Sequence, residues 1–149
     1  PASLVTAFRA SDVVYYLVHS MGTCKDFVAE EKRAAQNVVS AAKAAGVKRI
    51  VYLSGLHPEG ELSPHLASRA AVGDILIGSG IETLVLQAGI VVGSGSASFE
   101  MIRHLTDRLP VMTTPKWVHN KIQPIAIDDI LYYLVEAATA PVPRSRTWD

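Results

Sequence analysis

Two stretches in the middle of the chain decide the fold, VKRIVYLSG (Val47–Gly55) and HLASRAAVG (His65–Gly73). The first contains a short apolar run without polar alternation, which is typical of a parallel strand covered by helices on both faces. The second follows Pro64, a residue favoured at the first position of a helix because its missing N–H would be unpaired there. Together they predict a buried strand followed by a helix.

The segments around this pair alternate between helical and strand-like patterns. From Asp26 to Ala45 the apolar positions fall on one helical face, and Gly46 supplies a left-handed residue where that helix should end. Strand-like runs occupy Asp12–Val18 and Glu82–Val92, the second with a loop at Gly89. The other predicted elements are helices at about 3–10, 64–79, 98–108 and 128–138 (capped by Asp128), a short strand at about 122–127 and a loose tail at 141–149. This alternation predicts an α/β fold with a parallel sheet, whose ligands bind at the carboxyl ends of the strands.

Composition indicates a single domain over residues 1–149 and argues against several partners. The chain has 149 residues, of which 49% are hydrophobic, so it can form one core. Its 14 basic and 14 acidic residues balance, so no net field favours nucleic acid or an anionic membrane. Cys24 is the only cysteine, and the histidines lack metal-ligand spacing, so no disulfide and no metal site are expected. Neither a membrane-spanning run nor a signal peptide is visible, which favours a cytoplasmic location.

Five segments in order resemble the NmrA-like branch of the atypical, extended short-chain dehydrogenase/reductase superfamily. They are YYLVHSMG, NVVSAAKAAGVKRIVYLSG, HLASRAAVG, SGIETLVLQAGIVVGSGS and QPIAIDDILYYLVEAA. The resemblance implies a Rossmann-like fold, NADP or NAD as cofactor, and a small-molecule substrate with a carbonyl or sugar-like group. It places the cofactor beside His19, Ser20, Met21, Ser54, Arg69, Gln87, Ala88, Gly89 and Ile90. An alternative for His19–Met21 is a plain loop with a buried methionine.

The catalytic positions implied by the resemblance are Ser54, His65 and Arg69, and two of them depart from the family. HLASR aligns with the family pattern Tyr-x-x-Ser-Lys, so His65 replaces the tyrosine and Arg69 replaces the lysine. Histidine exchanges protons near neutral pH, whereas arginine keeps its charge but cannot share a proton as lysine does. We therefore expect weak or altered oxidoreductase-like or epimerase-like catalysis. The alternative is a non-catalytic NAD(P)-sensing or assembly protein, as NmrA-like relatives without the tyrosine are.

The family begins with a strand, a Gly-x-x-Gly-x-x-Gly turn and a helix that binds the pyrophosphate, and these have no counterpart in this sequence. The resemblance therefore implies a fragment that lacks the first strands of the sheet. The strand at Val13–Val18 would then form an exposed edge, open to a homodimer contact or to a missing N-terminal segment. Weak NAD(P) binding by the isolated chain is expected.

Other motifs have two interpretations each. Gly93-Ser-Gly-Ser before a helix fits a dinucleotide-binding turn or, more simply, a flexible loop with an N-cap. Trp117 fits a pocket lid or a surface-loop anchor. Ser54 with His65 suggests a hydrolase pair, but LSGLH is not the Gly-x-Ser-x-Gly turn that such a nucleophile occupies.

Overall fold

The computed structural model describes residues 2–19, 26–57, 60–109 and 123–149. Its elements in chain order are α1 (Ala2–Phe8), β1 (Val13–Tyr16), α2 (Phe27–Ala45), β2 (Arg49–Gly55), α3 (Pro64–Ile77), β3 (Glu82–Ala88), β4 (Ile90–Val92), α4 (Ala97–Arg108), β5 (Pro124–Ala126), α5 (Ile127–Glu136) and β6 (Arg146–Trp148). No helix within these ranges combines the length and the apolar character needed to cross a bilayer.

A four-stranded parallel sheet in the order β1-β2-β3-β6 forms the centre of the fold, and β4 and β5 pair in a separate parallel sheet. Successive residues of β2 face opposite sides. Ile50 and Tyr52 pack with residues of α2 and α3, whereas Val51 packs with residues of α5. Helices therefore cover both faces, and the predicted α/β fold with a parallel sheet is confirmed.

Strand β1 lies at the edge of the main sheet, as the sequence predicted. Its neighbour β2 pairs along one side, from Val13 with Arg49 to Tyr16 with Tyr52. Tyr15 is 41% exposed, and Leu17 and Val18 beyond the strand are 51% and 69% exposed. Within the described residues this edge is therefore both unpaired and apolar.

The helices α2 and α3 end and begin at the residues that the sequence indicates. Gly46 adopts φ 75°, and its N–H donates to the carbonyls of Ala42 and Lys43 at the end of α2. Ser63 caps α3 by accepting from the N–H of Leu66, and Pro64 is the first helical residue. The strand predicted over 82–92 divides at Gly89 into β3 and β4, also as expected.

Two details of the C-terminal region were predicted wrongly. The residue that caps α5 is Ala126 rather than Asp128, because β5 runs directly into the helix and leaves Asp128 inside its first turn. The tail is not wholly loose, because Arg146–Trp148 form β6 beside β3. The free edge of β3 supplies backbone hydrogen-bond partners to β6. Ser145 Oγ accepts from the N–H of Thr83 at 2.9 Å. The Arg146 guanidinium lies 3.4 Å from the centre of the Trp148 ring.

Candidate functional site

Ser54 lies at the carboxyl end of β2, on the face of the sheet that packs against α3. It pairs in register with Gln87 of β3, one residue before both strands end. The Ser54 side chain is 2% exposed, and its Oγ makes no hydrogen bond of normal geometry to any described residue. A buried hydroxyl without a partner is uncommon in folded proteins and marks this position as a candidate site.

A cavity of about 70 Å³ lies between this end of the sheet and α3. The polar side chains that line it come from β2 and its following loop, α3, β3 and β6. They are Ser54, His57, Arg69, Asp74, Gln87 and Thr147. The cavity therefore collects polar groups from four parts of the chain at the carboxyl end of the sheet, where ligands of parallel α/β folds bind.

Gln87 holds the ring of His57 in one orientation and one tautomer. The Gln87 Oε1 accepts from the backbone N–H of His57 at 3.4 Å, so its Nε2 is the group that lies 2.8 Å from His57 Nδ1. Because an amide nitrogen only donates, Nδ1 accepts, and the neutral ring carries its hydrogen on Nε2. Nε2 is buried and has no hydrogen-bond partner among the described residues.

The charge of the His57 ring is controlled by its surroundings. Burial lowers the pKa of His57, the positive charge of Arg69 lowers it further, and Asp74 opposes both effects. The ring is therefore neutral near pH 7 and carries its N–H donor on a residue that lines the cavity.

Arg69 reaches the cavity from α3 and packs over the end of β2. A methyl group at Gly55 would lie 3.5 Å from Arg69 Nη1 and 3.0 Å from Leu66 Cδ2, so the glycine leaves room for this approach. The backbone carbonyl of Arg69 accepts from Tyr52 Oη at 3.4 Å. No ion pair joins the guanidinium to a carboxylate within the described parts of the chain.

A second group of buried polar side chains lies behind the cavity, between α2, α3 and the sheet. Ser68 Oγ donates to Oε2 of Glu31, and the rings of Tyr16 and Tyr52 meet edge to face at 5.5 Å. Burial, followed by the effects of Tyr52 and Glu31, raises the pKa of Tyr16 to about 12. Burial also raises the pKa of Tyr52, and the nearby Ser54 hydroxyl opposes this rise although no hydrogen bond of normal geometry joins the two groups.

The structure brings together only part of the predicted site. Ser54, Arg69 and Gln87 line the same cavity. His65 does not line it. Its ring is exposed and stacks on Phe27, with ring centres 4.6 Å apart.

His19 is also exposed, beyond the end of β1, and does not line the cavity. Ser20, Met21 and Trp117 lie outside the described residues. Ala88 and Gly89 line a larger cavity of about 540 Å³ on the opposite face of the sheet, whose wall is formed largely by apolar residues of β3, β5 and α5. Ile90 begins β4.

Sequence reasoning missed His57, Thr147 and the buried Glu31. Glu31 stands one turn before Ala35 on the buried side of α2, and a carboxylate at that spacing was a usable signal. His57 follows the strand end by two residues and could have been grouped with Ser54. Thr147 belongs to the tail that was predicted to be loose.

Among described residues, no three histidine, cysteine or acidic side chains are grouped so as to hold a metal ion.

The family model that matches the sequence is described as NAD(P)H-binding, and it covers residues 1–92. The chain belongs to the NAD(P)H-binding family. NAD(P) is therefore its cofactor class, as the resemblance implied. No curated protein sequence matches the chain.

Solved structures of longer proteins share the fold. The chain is similar to WbmG of Bordetella bronchiseptica in complex with NAD (TM-score 0.79, 16% identity), to a double mutant of the Streptomyces venezuelae dTDP-glucose 4,6-dehydratase DesIV with NAD bound (0.75, 16%), and to MoeE5 in complex with UDP-glucose and NAD (0.76, 19%). The matches cover 99%, 98% and 97% of this chain but 53%, 53% and 57% of those chains, so it spans about half their length. The Rossmann-like fold is confirmed, and the narrower NmrA-like assignment stays a prediction.

The residues of this NAD(P)H-binding chain fit part of the cofactor. The Ser54 hydroxyl and the Arg69 guanidinium, which have no hydrogen-bond partner and no ion pair respectively among the described residues, are donors suited to the oxygen atoms of a ribose or a carboxamide. The cavity of about 70 Å³ is much smaller than the roughly 300–1,000 Å³ of ordinary ligand pockets. It can therefore take one polar group and not a whole dinucleotide.

Proposed function

We propose that the chain is the NAD(P)-binding part of an oxidoreductase-like or epimerase-like protein of the atypical short-chain dehydrogenase family, with weak or altered catalysis. The observation that carries this proposal is the buried hydroxyl of Ser54 at the carboxyl end of β2, beside Arg69, and this hydroxyl has no hydrogen-bond partner in the part of the chain that the structure describes. Membership of the NAD(P)H-binding family supports the cofactor. The fold shared with sugar-nucleotide enzymes supports a carbonyl or sugar-like substrate.

In this proposal Ser54 orients the reacting oxygen by donating a hydrogen bond to it. Arg69 binds a ribose hydroxyl and keeps a positive charge at the site, but it does not exchange a proton. A nicotinamide cofactor held by these residues would supply the hydride chemistry. His65 takes the place of the proton relay, supported by its position one helical turn before Arg69 and by its exposure to solvent. His19, Ser20, Met21 and residues 87–90 belong to the nicotinamide side of the proposed site.

A second candidate function is non-catalytic sensing of NAD(P), or an assembly role. The position of the His65 ring favours it, because the ring stacks on Phe27 and is absent from the cavity that holds Ser54 and Arg69. Without the His65 proton relay, the site would bind a nucleotide without turning over a carbonyl substrate.

Turnover separates the two candidates. Stopped-flow oxidation of NADPH with a panel of carbonyl compounds is measured on the natural protein that contains this chain, together with nucleotide binding by calorimetry. The enzyme proposal predicts slow turnover that Ser54→Ala reduces about 100-fold, as expected for a lost oxyanion donor. Ser40→Ala is the matched control, because Ser40 is exposed on α2 and donates to Gln36 O.

Nucleotide binding without any turnover would favour the sensing role, and an absence of nucleotide binding would contradict both candidates. The isolated 149-residue chain is expected to bind NAD(P) weakly, so tight binding in the same calorimetric assay would contradict that expectation.

The exposed edge of β1 supports a pairing partner, either a second copy of the chain or an N-terminal segment. Within the described residues, the edge offers unpaired backbone groups beside exposed Tyr15, Leu17 and Val18. Sedimentation of the 149-residue chain tests the homodimer, and a monodisperse monomer would contradict it.

The balanced charge supports neither nucleic acid nor membrane as a partner, and we place the protein in the cytoplasm.

A further inference from the structure

The small cavity beside α3 is lined by hydrogen-bond donors that lack acceptors. Ser54 Oγ and His57 Nε2 are both buried without partners, and Arg69 forms no ion pair in the described regions. We propose that this cavity is a subsite for a small oxyanion, a carboxylate or a phosphate group, held by Ser54, His57 and Arg69. The proposal goes beyond nucleotide binding, because the described residues of this chain line the cavity and supply its donors without a nucleotide.

The charges around the cavity favour an anion over a cation. Arg69 contributes a full positive charge, and Asp74 is the one carboxylate among the residues that line the cavity. At the His57 ring the effect of Arg69 is larger than the opposing effect of Asp74. Near the His57 ring an anion would therefore meet the effect of Arg69 more strongly than that of Asp74, in a place where burial weakens screening by water.

The His57 ring lines the cavity and has an Nε2 hydrogen without an acceptor among the described residues. Because Gln87 occupies Nδ1, the hydrogen of the neutral ring is on Nε2, which is the buried atom without a partner. A neutral imidazole donor does not need to be protonated to bind an anion. Gln87 is therefore a positioning residue, since it fixes the tautomer and the ring orientation without itself needing to touch the anion.

The size of the cavity limits the ligand. A cavity needs a volume of about 10–15 Å³ to hold one water molecule. The cavity of about 70 Å³ therefore holds a group of a few heavy atoms. A carboxylate fits this volume, and a phosphate group is close to its upper limit. The occupant is either a free anion or the anionic end of a larger molecule that extends past the exposed Thr147.

Nuclear magnetic resonance of the isotope-labelled 149-residue chain tests the proposal without nucleotide. Sodium formate and sodium phosphate are titrated separately at constant ionic strength against sodium chloride, and the signals of the His57 ring and of the Ser54 and Gln87 amides are followed. We expect saturable shifts confined to these residues, with either anion or both. Arg69→Gln should weaken the binding at least about tenfold, because it removes a charged donor.

Arg103→Gln is the matched control, since Arg103 is an exposed residue of α4 whose charge is already paired with Glu100 and Asp107. His57→Gln provides a second variant with the same expected loss, in case Arg69→Gln does not fold. Saturation by formate alone would identify a carboxylate as the ligand, and saturation by phosphate alone would identify a phosphate group. Shifts that do not saturate, or that are equal in Arg69→Gln and Arg103→Gln, would overturn the proposal.

Failure of this test is distinguishable from failure of the proposed function. The anion titration contains no nucleotide, and the NADPH assay contains neither formate nor added phosphate. The two measurements can therefore succeed or fail independently.

Discussion

Replacement of Ser68 by alanine tests the buried hydrogen bond that joins α3 to α2. The Ser68 side chain is 1% exposed and donates to Glu31, which is 7% exposed. Alanine removes the hydroxyl without adding bulk. The Glu31 carboxylate then loses this donor in a place that bulk water barely reaches.

The expected loss of stability follows from two opposing contributions. A hydrogen bond to a charged group contributes about 1.5–3 kcal/mol to the free energy of unfolding. Alanine forms helices better than serine does, which offsets about 0.5 kcal/mol of that loss. The net loss is about 1–2.5 kcal/mol, or roughly a 5- to 70-fold change in the unfolding equilibrium constant. For a chain of this size the melting temperature should fall by about 2–10 °C.

Urea unfolding followed by far-ultraviolet circular dichroism at neutral pH measures this loss. Ser40→Ala is the control, because Ser40 is an exposed serine of α2 whose hydroxyl donates to Gln36 O at 2.9 Å. It gains the same helix propensity but removes no hydrogen bond from a buried carboxylate. The difference between the two variants isolates the contribution of the Ser68–Glu31 hydrogen bond. If both variants unfold at the same urea concentration, the reasoning is wrong.

Three further predictions concern other parts of the fold and the site. Because the pKa of Tyr16 is raised from 10.0 to about 12, its protonated form is favoured in the folded state. The folded state therefore loses stability as the pH rises from about 10 to about 12, and the Tyr16→Phe variant should lose less stability over the same range. Because the pKa of His57 is lowered from 6.5, the neutral ring is favoured in the folded state. The stability that the neutral ring contributes is lost as the pH falls through the pKa of His57 in the folded state. Arg69→Gln should raise the His57 pKa, as measured by proton resonance titration. Gly89→Ala would place a methyl group against the backbone carbonyl of Gln123, and the forced movement of this residue next to β5 should reduce the free energy of urea unfolding by about 1–3 kcal/mol.

Each of these predictions has a matched control. Tyr132→Phe alters an exposed tyrosine of α5 and should leave the alkaline loss of stability unchanged. Arg103→Gln removes a distant charge on α4, so a His57 titration that moves equally in both arginine variants would contradict the assigned effect of Arg69. Gly73→Ala meets only ordinary contacts, the nearest at 3.7 Å, and a loss of stability as large as that of Gly89→Ala would argue against a steric cause.

Much of the fold could be predicted because local patterns and burial agree. The apolar run of β2, the one-sided helix α2 and the stop at Gly46 each follow from side-chain sizes and backbone preferences that act over a few residues. The tail was mispredicted because β6 depends on an open edge of β3, which is distant in the sequence. Prolines and polar residues gave no local sign of that pairing.

The site could be predicted only where it follows from position along a strand. Ser54 and Gln87 meet because neighbouring parallel strands end together. The pairing of Gln87 with His57 depends on the path of the loop after β2, and the stacking of His65 on Phe27 depends on how α3 packs against the start of α2. Neither interaction has a local sequence signature, so both required the three-dimensional structure.

The alternation of β2 between its two covered faces has a consequence for how this sequence can change. Ile50 and Tyr52 face α2 and α3, as Ser54 does, whereas Val51 faces α5. Deletion or insertion of a single residue within β2 would exchange the two sets and turn the Ser54 hydroxyl away from Arg69. The length of this strand is therefore under stricter constraint than the identity of most of its residues.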